Sequence, residues 1–373
     1  MNKKKLKILH LAKFFDPQKG GIETITSLLV NNNKKFLNTV IYFGKKDNKI
    51  TKLSNTYFST KTIFKLLSQP FSFRYMLVGI REIKKADIVH IHSPNIIAYV
   101  IAIISNHKKI VIHWHSDVIS KFKIFISFIE KSILNRCSYI ICSSETYKNS
   151  SNSLINYKDK IHIIPYGIKK SYFKKVKIRN KIINIIKNNN EKKIIVSVGR
   201  LVPYKGYLDL IESSKYFDPE VITIIIGDGP DEKKLRERIN IYKINHRVFL
   251  ISKINNDELA YIYKHSQLYL CFSNSRKESF GISLIEAQSH GIPIIARLIN
   301  GSGVNWININ EETGYNISIE NNKKAAVIVN KLLKNNTILK KFSNNSLIRF
   351  NTMFTFNKMK QRINDLYKSL NIR

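Results

Sequence analysis

The sequence predicts an α/β protein made of two Rossmann-like, doubly wound parallel-sheet domains, and three observations carry that reading. Short runs rich in Ile and Val recur along the chain, separated by stretches of helical length. Runs this continuously apolar mark strands covered on both faces, as in a parallel sheet flanked by helices. The chain has 373 residues, more than a single core ordinarily organises. Between residues 169 and 193 the composition shifts to lysine and asparagine, which reads as a linker between two halves.

In chain order, residues 6–12, 39–43, 88–91, 110–113 and 139–142 read as buried strands of the first domain, with 161–165 as the strand leading out of it. Residues 194–198, 221–226, 248–251, 268–272 and 293–296 read as strands of the second, and 232–242 as one of its helices. The expected organisation is a first domain at 1–168, a linker at 169–192 carrying an apolar element at 176–186, and a second domain at 193–353. Residues 354–373 close the chain as a helix, with Met359, Ile363, Leu366 and Leu370 at helical spacing. Doubly wound sheets bind ligands at the carboxyl ends of their strands, so chemistry is to be sought just after each strand.

Lys and Arg number 63 against 26 Asp and Glu, a formal charge of +37. It divides evenly, net +18 over residues 1–165 and net +19 over the remainder, so the charge is not gathered in one arm. Such a surface attracts polyanions and anionic lipid headgroups. A phosphorylated substrate, a membrane face and nucleic acid all fit, and composition does not choose among them. Cys137, Cys142 and Cys271 lie in apolar stretches at a spacing that fits no zinc pattern, as expected of buried thiols in a reducing cytosol. The longest apolar stretch, 96–104, is about half the ~20 residues of a membrane span. The run at 6–12 is broken by Lys7 and His10, so no signal peptide is expected. The expected location is cytoplasmic, with possible peripheral contact to the inner face of the plasma membrane.

Five segments carry candidate chemistry. Residues 276–287, R-K-E-S-F-G-I-S-L-I-E-A, follow a strand and open a helix near Phe280. The backbone of Gly281, Ile282 and Ser283 would offer unpaired N–H donors to a diphosphate. Glu278 and Glu286, eight residues apart, would span about 12 Å of helical rise, enough for one carboxylate to grip a sugar and the other a ribose. The plain alternative is an acidic first turn and an exposed glutamate. Residues 197–207, S-V-G-R-L-V-P-Y-K-G-Y, place Arg200 and Lys205 at a strand's carboxyl end, where fixed positive charge can stabilise a leaving diphosphate. Gly20 and Gly21 lie between the first strand and its helix, a weaker signal, and they do not make a G-x-G-x-x-G fingerprint. In I-H-W-H-S-D, His113 and His115 share one strand face; a third metal ligand is not evident from spacing, so one histidine as a polar sugar contact and the other packed is the expectation. His90 and His92 repeat the pattern, and the turn I-I-I-G-D-G-P with Gly229 suits a nucleotide-side loop.

In this order, the segments resemble the retaining GT-B glycosyltransferases of family 4, also called glycosyl transferases group 1, across nearly the whole chain. The E-x7-E element from Glu278 to Glu286, the G-R-L-x-x-x-K-G element from Gly199 to Gly206, the G-D-G-P turn and I-H-I-I-P-Y-G-I at 161–168 carry the likeness. The resemblance implies two domains facing a cleft, with the last helix packing back on the first. It implies metal-independent retention and no cofactor beyond a UDP- or GDP-linked donor. Arg200 and Lys205 would neutralise the diphosphate, Glu278 would contact the donor sugar, and Glu286 the ribose. His115 would lie near the transferred sugar and Gly21 near the diphosphate, with Gly229, Lys253, Phe280, Gly281 and Ile282 completing the donor site. Ser252 stands where many relatives place a glycine beside the base. H-W-H-S-D-V and N-G-S-G-V-N-W-I-N, with Gly301 and Gly303, are similar to a subgroup that builds O-antigen, capsule or exopolysaccharide from glycan or polyprenyl-diphosphate-linked acceptors. A nucleotide-sugar 2-epimerase shares this architecture. A non-catalytic nucleic-acid- or membrane-binding protein would explain the charge but not the ordered motifs.

Overall fold

The computed structural model describes residues 5–15, 20–66, 69–117, 123–170 and 178–372; the linker stretch 171–177, with the start of the apolar element expected at 176–186, lies outside them. The chain forms two compact units, Met1–Gly167 with Phe356–Arg373, and Ile168–Thr355.

In the first unit the strands are β1 (Lys7–Leu11), β2 (Leu37–Gly44), β3 (Asn48–Lys52), β4 (Asn55–Lys61), β5 (Phe64–Leu66), β6 (Gln69–Phe71), β7 (Ile88–Ser93), β8 (Ile110–Trp114), β9 (Tyr139–Cys142) and β10 (Ile161–Ile163). Eight of them form one sheet in the order β10-β9-β8-β7-β1-β2-β4-β3, while β5 and β6 pair as a separate hairpin. The sheet is parallel except at its edge, where β3 runs antiparallel to β4. Strands β7 and β8 are buried along their whole length, which is why Ile and Val fill them apart from the histidines and the closing Ser93 and Trp114. The polar strands β3 and β4 and the short hairpin lack that signature, and the sequence reading passed over them. Helices start where side chains satisfy their free N–H groups: Ser72 accepts from Tyr75 N, Asn95 from Ala98 N and Ser144 from Tyr147 N.

The closing helix, Phe356–Ile372, belongs to this first unit. It buries Met359, Ile363, Leu366, Tyr367 and Leu370, and Asn33 Nδ2 donates to Asn364 Oδ1 at 2.6 Å. Apolar spacing alone built this helix; the long-range contacts assign its place.

The second unit has a six-stranded, wholly parallel sheet of β11 (Lys193–Val198), β12 (Val221–Ile226), β13 (Val248–Ile251), β14 (Leu268–Cys271), β15 (Ile294–Arg297) and β16 (Gly314–Ile317). Its order, β13-β12-β11-β14-β15-β16, reverses direction between β11 and β14. The corresponding reversal in the first sheet lies between β1 and β7. At such switch points neighbouring strands send their helices to opposite faces, leaving a crevice at their carboxyl ends. The two-domain Rossmann-like expectation is borne out.

Candidate active site

In the second unit the switch point gathers the residues singled out from sequence. Strand β11 ends in Val198 and passes through Gly199 and Arg200 into a short 3-10 turn, Pro203–Lys205. Gly206 follows with φ of 69°, and a Cβ there would lie 2.0 Å from the carbonyl oxygen of Phe272. Glycine therefore lets the turn press against the end of β14, which carries Lys205 onto the segment after that strand. Lys205 Nζ meets Glu278 Oε2 at 2.5 Å, and both side chains are largely shielded from solvent. Burial is the largest single influence and would lower the Lys205 amine, but the Glu278 carboxylate, acting together with Tyr207, Tyr269 and Cys271, holds it well above its ordinary value. Glu278 is further fixed by Ser273 Oγ at 3.3 Å, and its own carbonyl accepts from Ser302 Oγ.

Gly281 caps the helix Ile282–Ser289 with φ of 101°, a conformation that side chains resist. The helix begins two residues later than expected at Phe280, whose ring instead packs edge-on against Phe354. The Phe280 side chain is thus part of the core of the second unit. Glu286, on that helix, takes a hydrogen bond from Tyr263 OH at 3.3 Å. Burial pushes its carboxyl up to about 7, opposed by that bond and by the charge of Lys205. Arg200 is exposed and forms no ion pair among the described residues. The turn holding Gly229 is latched to it: Leu201 N donates to Asp228 O and Asp231 N to Leu201 O. Lys253 is exposed, and its backbone N–H reaches Asp228 Oδ1 at 3.1 Å. Arg276 Nε donates to Gly301 O, and Gly303 N to Ser279 O, so residues 301–303 brace the Glu278 loop.

Sequence reasoning missed Tyr269. Its hydroxyl lies 3.0 Å from Val198 O and 2.7 Å from Ser283 Oγ, tying the end of β11 to the helix that opens at Ile282. Tyr269 stands within β14, where an aromatic reads simply as core, so no local signal marks it.

The first unit answers at its own switch point with histidine. The parallel register pairs His10 with His90 and His92 with His113, and a period of two adds His115, so five buried imidazoles form a ladder. Asn38 donates its amide to Asn55 Oδ1 and therefore offers Oδ1 to His10 Nε2–H. That leaves His10 Nδ1 to accept from His92 Nε2–H at 3.2 Å, and His92 Nδ1 to accept from His115 Nε2–H at 3.1 Å. His115 Nδ1 then accepts from the Tyr166 hydroxyl. One tautomer set satisfies the whole chain with every ring neutral. Burial lowers all five, His10 to about 4 and His113 to about 3. His90 is bridged between Tyr367 OH and His113 Nδ1, and His113 Nε2 is buried without a partner.

Two outcomes differ from the sequence reading. Both His113 and His115 are buried, where one was expected to point into a cleft as a polar contact to the sugar; a sugar would have to displace Tyr166 or His92 to reach a nitrogen of His115. A third histidine does converge on that pair, since nitrogen atoms of His92, His113 and His115 lie within 4.8 Å of one another, as do those of His10, His90 and His92. Spacing along one strand could not reveal a neighbour supplied by sheet register. Hydrogen bonds already engage all of these nitrogens except His113 Nε2, so a metal would require the ladder to rearrange. Gly21 opens the helix Gly21–Asn31 beyond β1, in the same unit.

Two Rossmann-like units, one holding a buried lysine–carboxylate pair just before a helix start, define a two-domain α/β protein of the doubly wound class. Residues 178–349 match the family of glycosyl transferases group 1, and residues 20–172 match glycosyltransferase family 4. The chain belongs to the group 1 glycosyltransferases. It is 25% identical to the O-antigen chain mannosyltransferase C of Escherichia coli, covering 98% of this chain and 99% of that one. It is 27% identical to the D-rhamnosyltransferase WbpZ of Pseudomonas aeruginosa over 62% of this chain and 60% of that protein. The crystal structure of Anabaena Alr3699/HepE in complex with UDP has the same GT-B fold, with a TM-score of 0.78 at 17% identity over 98% of this chain and 100% of that one. No helix among the described residues is long and apolar enough to cross a membrane.

Proposed function

We propose that the protein transfers a hexose-type sugar, with retention and without a metal, from a nucleotide diphosphate donor to a glycan or lipid-linked oligosaccharide of a bacterial surface polysaccharide. The observation that carries this reading is the Lys205–Glu278 pair at the switch point of the second sheet. The likeness to an O-antigen mannosyltransferase over the full length supports the acceptor class. The alternation of charges suits a sugar diphosphate: Arg200 and Lys205 take the leaving phosphates, Glu278 turns from Lys205 to a donor-sugar hydroxyl, and Glu286 accepts from the ribose. His115, braced by Tyr166 and His92, faces the transferred sugar after exchanging one hydrogen bond. In a front-face displacement the acceptor oxygen bonds to the anomeric carbon as the carbon–oxygen bond to phosphate breaks. The acceptor proton passes to a phosphate oxygen. The protein contributes positioning and preorganised charge.

Thermal stabilisation by a panel of UDP-, GDP- and dTDP-sugars tests the reading. At least one is expected to raise the melting temperature of the wild type and not of Lys205→Ala. No shift with any of them, together with no transfer to extracted lipid-linked glycan, defeats it. Conversion of the donor sugar without acceptor would assign a 2-epimerase instead.

A further inference from the structure

Among the described residues, six of the fifteen large apolar side chains left exposed fall between residues 50 and 77, and four of these form one knob on the first unit. The hairpin β5–β6 stacks Phe64 on Phe71 with ring centroids 4.8 Å apart, and Phe71 meets Phe73 edge-on at 5.0 Å. Ile63 N donates to Phe71 O at 2.9 Å, holding Ile63 beside them. Phe73 opens the helix Phe73–Ile83 and Leu77 lies one turn further on the same face. Ile63, Phe64, Phe73 and Leu77 are 57%, 49%, 62% and 69% exposed. An isolated exposed leucine needs no explanation, but a contiguous aromatic and aliphatic cluster does.

Charge identifies what covers it. Residues 45–77 contain seven cations and one acid, Asp47, and that acid is spent on Arg74 at 3.7 Å and on Lys61 N at 2.7 Å. Lys45, Lys46, Lys61, Lys65 and Arg74 are all exposed around the apolar centre. The knob also sits at the carboxyl end of the sheet: Thr62 N donates to Gly44 O at the end of β2, and Lys65 is close enough to Lys13, just beyond β1, for the two amines to repel. A second copy of so basic a patch would be repelled. An apolar centre ringed by cations fits the boundary between acyl chains and anionic headgroups.

We propose that this knob docks the first unit on an anionic phospholipid surface, with Ile63, Phe64, Phe73 and Leu77 entering the headgroup layer and the surrounding lysines and Arg74 facing lipid phosphate. Its purpose rests on the glycosyltransferase reading, in which the first unit takes the acceptor: docking in this way holds the carboxyl ends of β1 and β2 against the surface on which a lipid-linked acceptor lies. The docking itself does not depend on that reading.

Flotation of the full chain with vesicles of phosphatidylcholine alone, or mixed with phosphatidylglycerol, tests it. The wild type is expected to float with the mixed vesicles, to be released by salt, and to ignore phosphatidylcholine. Phe73→Ser with Leu77→Ser should weaken partitioning about tenfold or more. Lys46→Glu with Lys65→Glu should do likewise, whereas Lys233→Glu with Lys324→Glu, a matched reversal on the second unit, should change it little. Unaltered melting temperatures keep misfolding from mimicking the result. Wild-type indifference to phosphatidylglycerol, flotation of the serine variant equal to wild type, or an apolar-dependent dimer on gel filtration each overturns the proposal. Intact flotation without any donor-induced thermal shift would instead sink the enzyme reading and leave the docking standing.

Discussion

The two units use the same sheet architecture and furnish its switch point in opposite ways. In the second, the crevice beside β11 and β14 holds formal charges in contact, Lys205 against Glu278, with Arg200 left open to solvent. In the first, the strands around the reversal between β1 and β7 carry five histidines, all buried and all held neutral. A charged pair keeps strong fields ready for an anionic ligand. A neutral ladder spends its hydrogen bonds ring to ring and on Asn38, Tyr166 and Tyr367, which fixes the strand ends in direction without placing charge there. Under the proposed function, this contrast would divide the handling of a diphosphate from that of the rest of the substrate between ionised groups in one unit and neutral ones in the other.

The largest expected effect tests the charged half. Lys205→Ala should reduce turnover about a hundredfold or more while leaving the fold intact, since it strips a preorganised cation from the leaving group. It also leaves Glu278 without its ion-pair partner. Steady-state kinetics alongside circular dichroism would check this, and near-wild-type kcat would break the proposed division.

The neutral half is tested by acid. Each ladder histidine is uncharged in the fold but takes up a proton below about 6.5 once the chain unfolds, so its contribution is complete above that pH. It is lost as pH falls from 6.5 towards the depressed values, about 4 for His10 and about 3 for His113. Each contributes a slope of about 1.4 kcal/mol per pH unit within that window. Urea unfolding between pH 7.5 and 5 should therefore show steep acid destabilisation of the first unit, and His10→Gln should flatten it by one histidine's share. A flat profile would mean that the ladder accepts charge.

A smaller effect sits at Glu286. Its carboxyl, raised to about 7, should need ionisation to accept two ribose hydroxyls, so donor affinity is expected to weaken as pH falls through 7. Glu286→Gln should bind about tenfold more weakly and lose the pH dependence. Calorimetric titration across pH 6 to 8 decides it; an unchanged profile in the variant would move the titration elsewhere. The mildest prediction is Tyr269→Phe, which removes the bridge between Val198 O and Ser283 Oγ. A loss of about 1 kcal/mol in the stability of the second unit, read as a modest drop in melting temperature, is expected.

Much of this was legible along the chain because it is local. Strands such as Val221–Ile226 and Val248–Ile251 are continuous apolar runs, and burial on both faces demands that composition. The segments after β11 and β14 announced themselves by cations, glycines and carboxylates at short spacing, which is how a strand end must be built to meet phosphate. The polar strands β3 and β4 escaped because β3 is a solvated edge and β4, beside it, is only partly buried, so neither carries an apolar run.

Composition and periodicity by themselves determined two parallel α/β halves, where each strand's ligand-facing end lies, and which side chains crowd there. Only the tertiary structure decided partnership. It closed Lys205 onto Glu278, stacked His10, His90, His92, His113 and His115 into one ladder, and set Tyr269 as a bridge. The reason is physical: spacing along a strand specifies which face a residue occupies, whereas sheet order and register, set by packing over the whole unit, specify what stands opposite it.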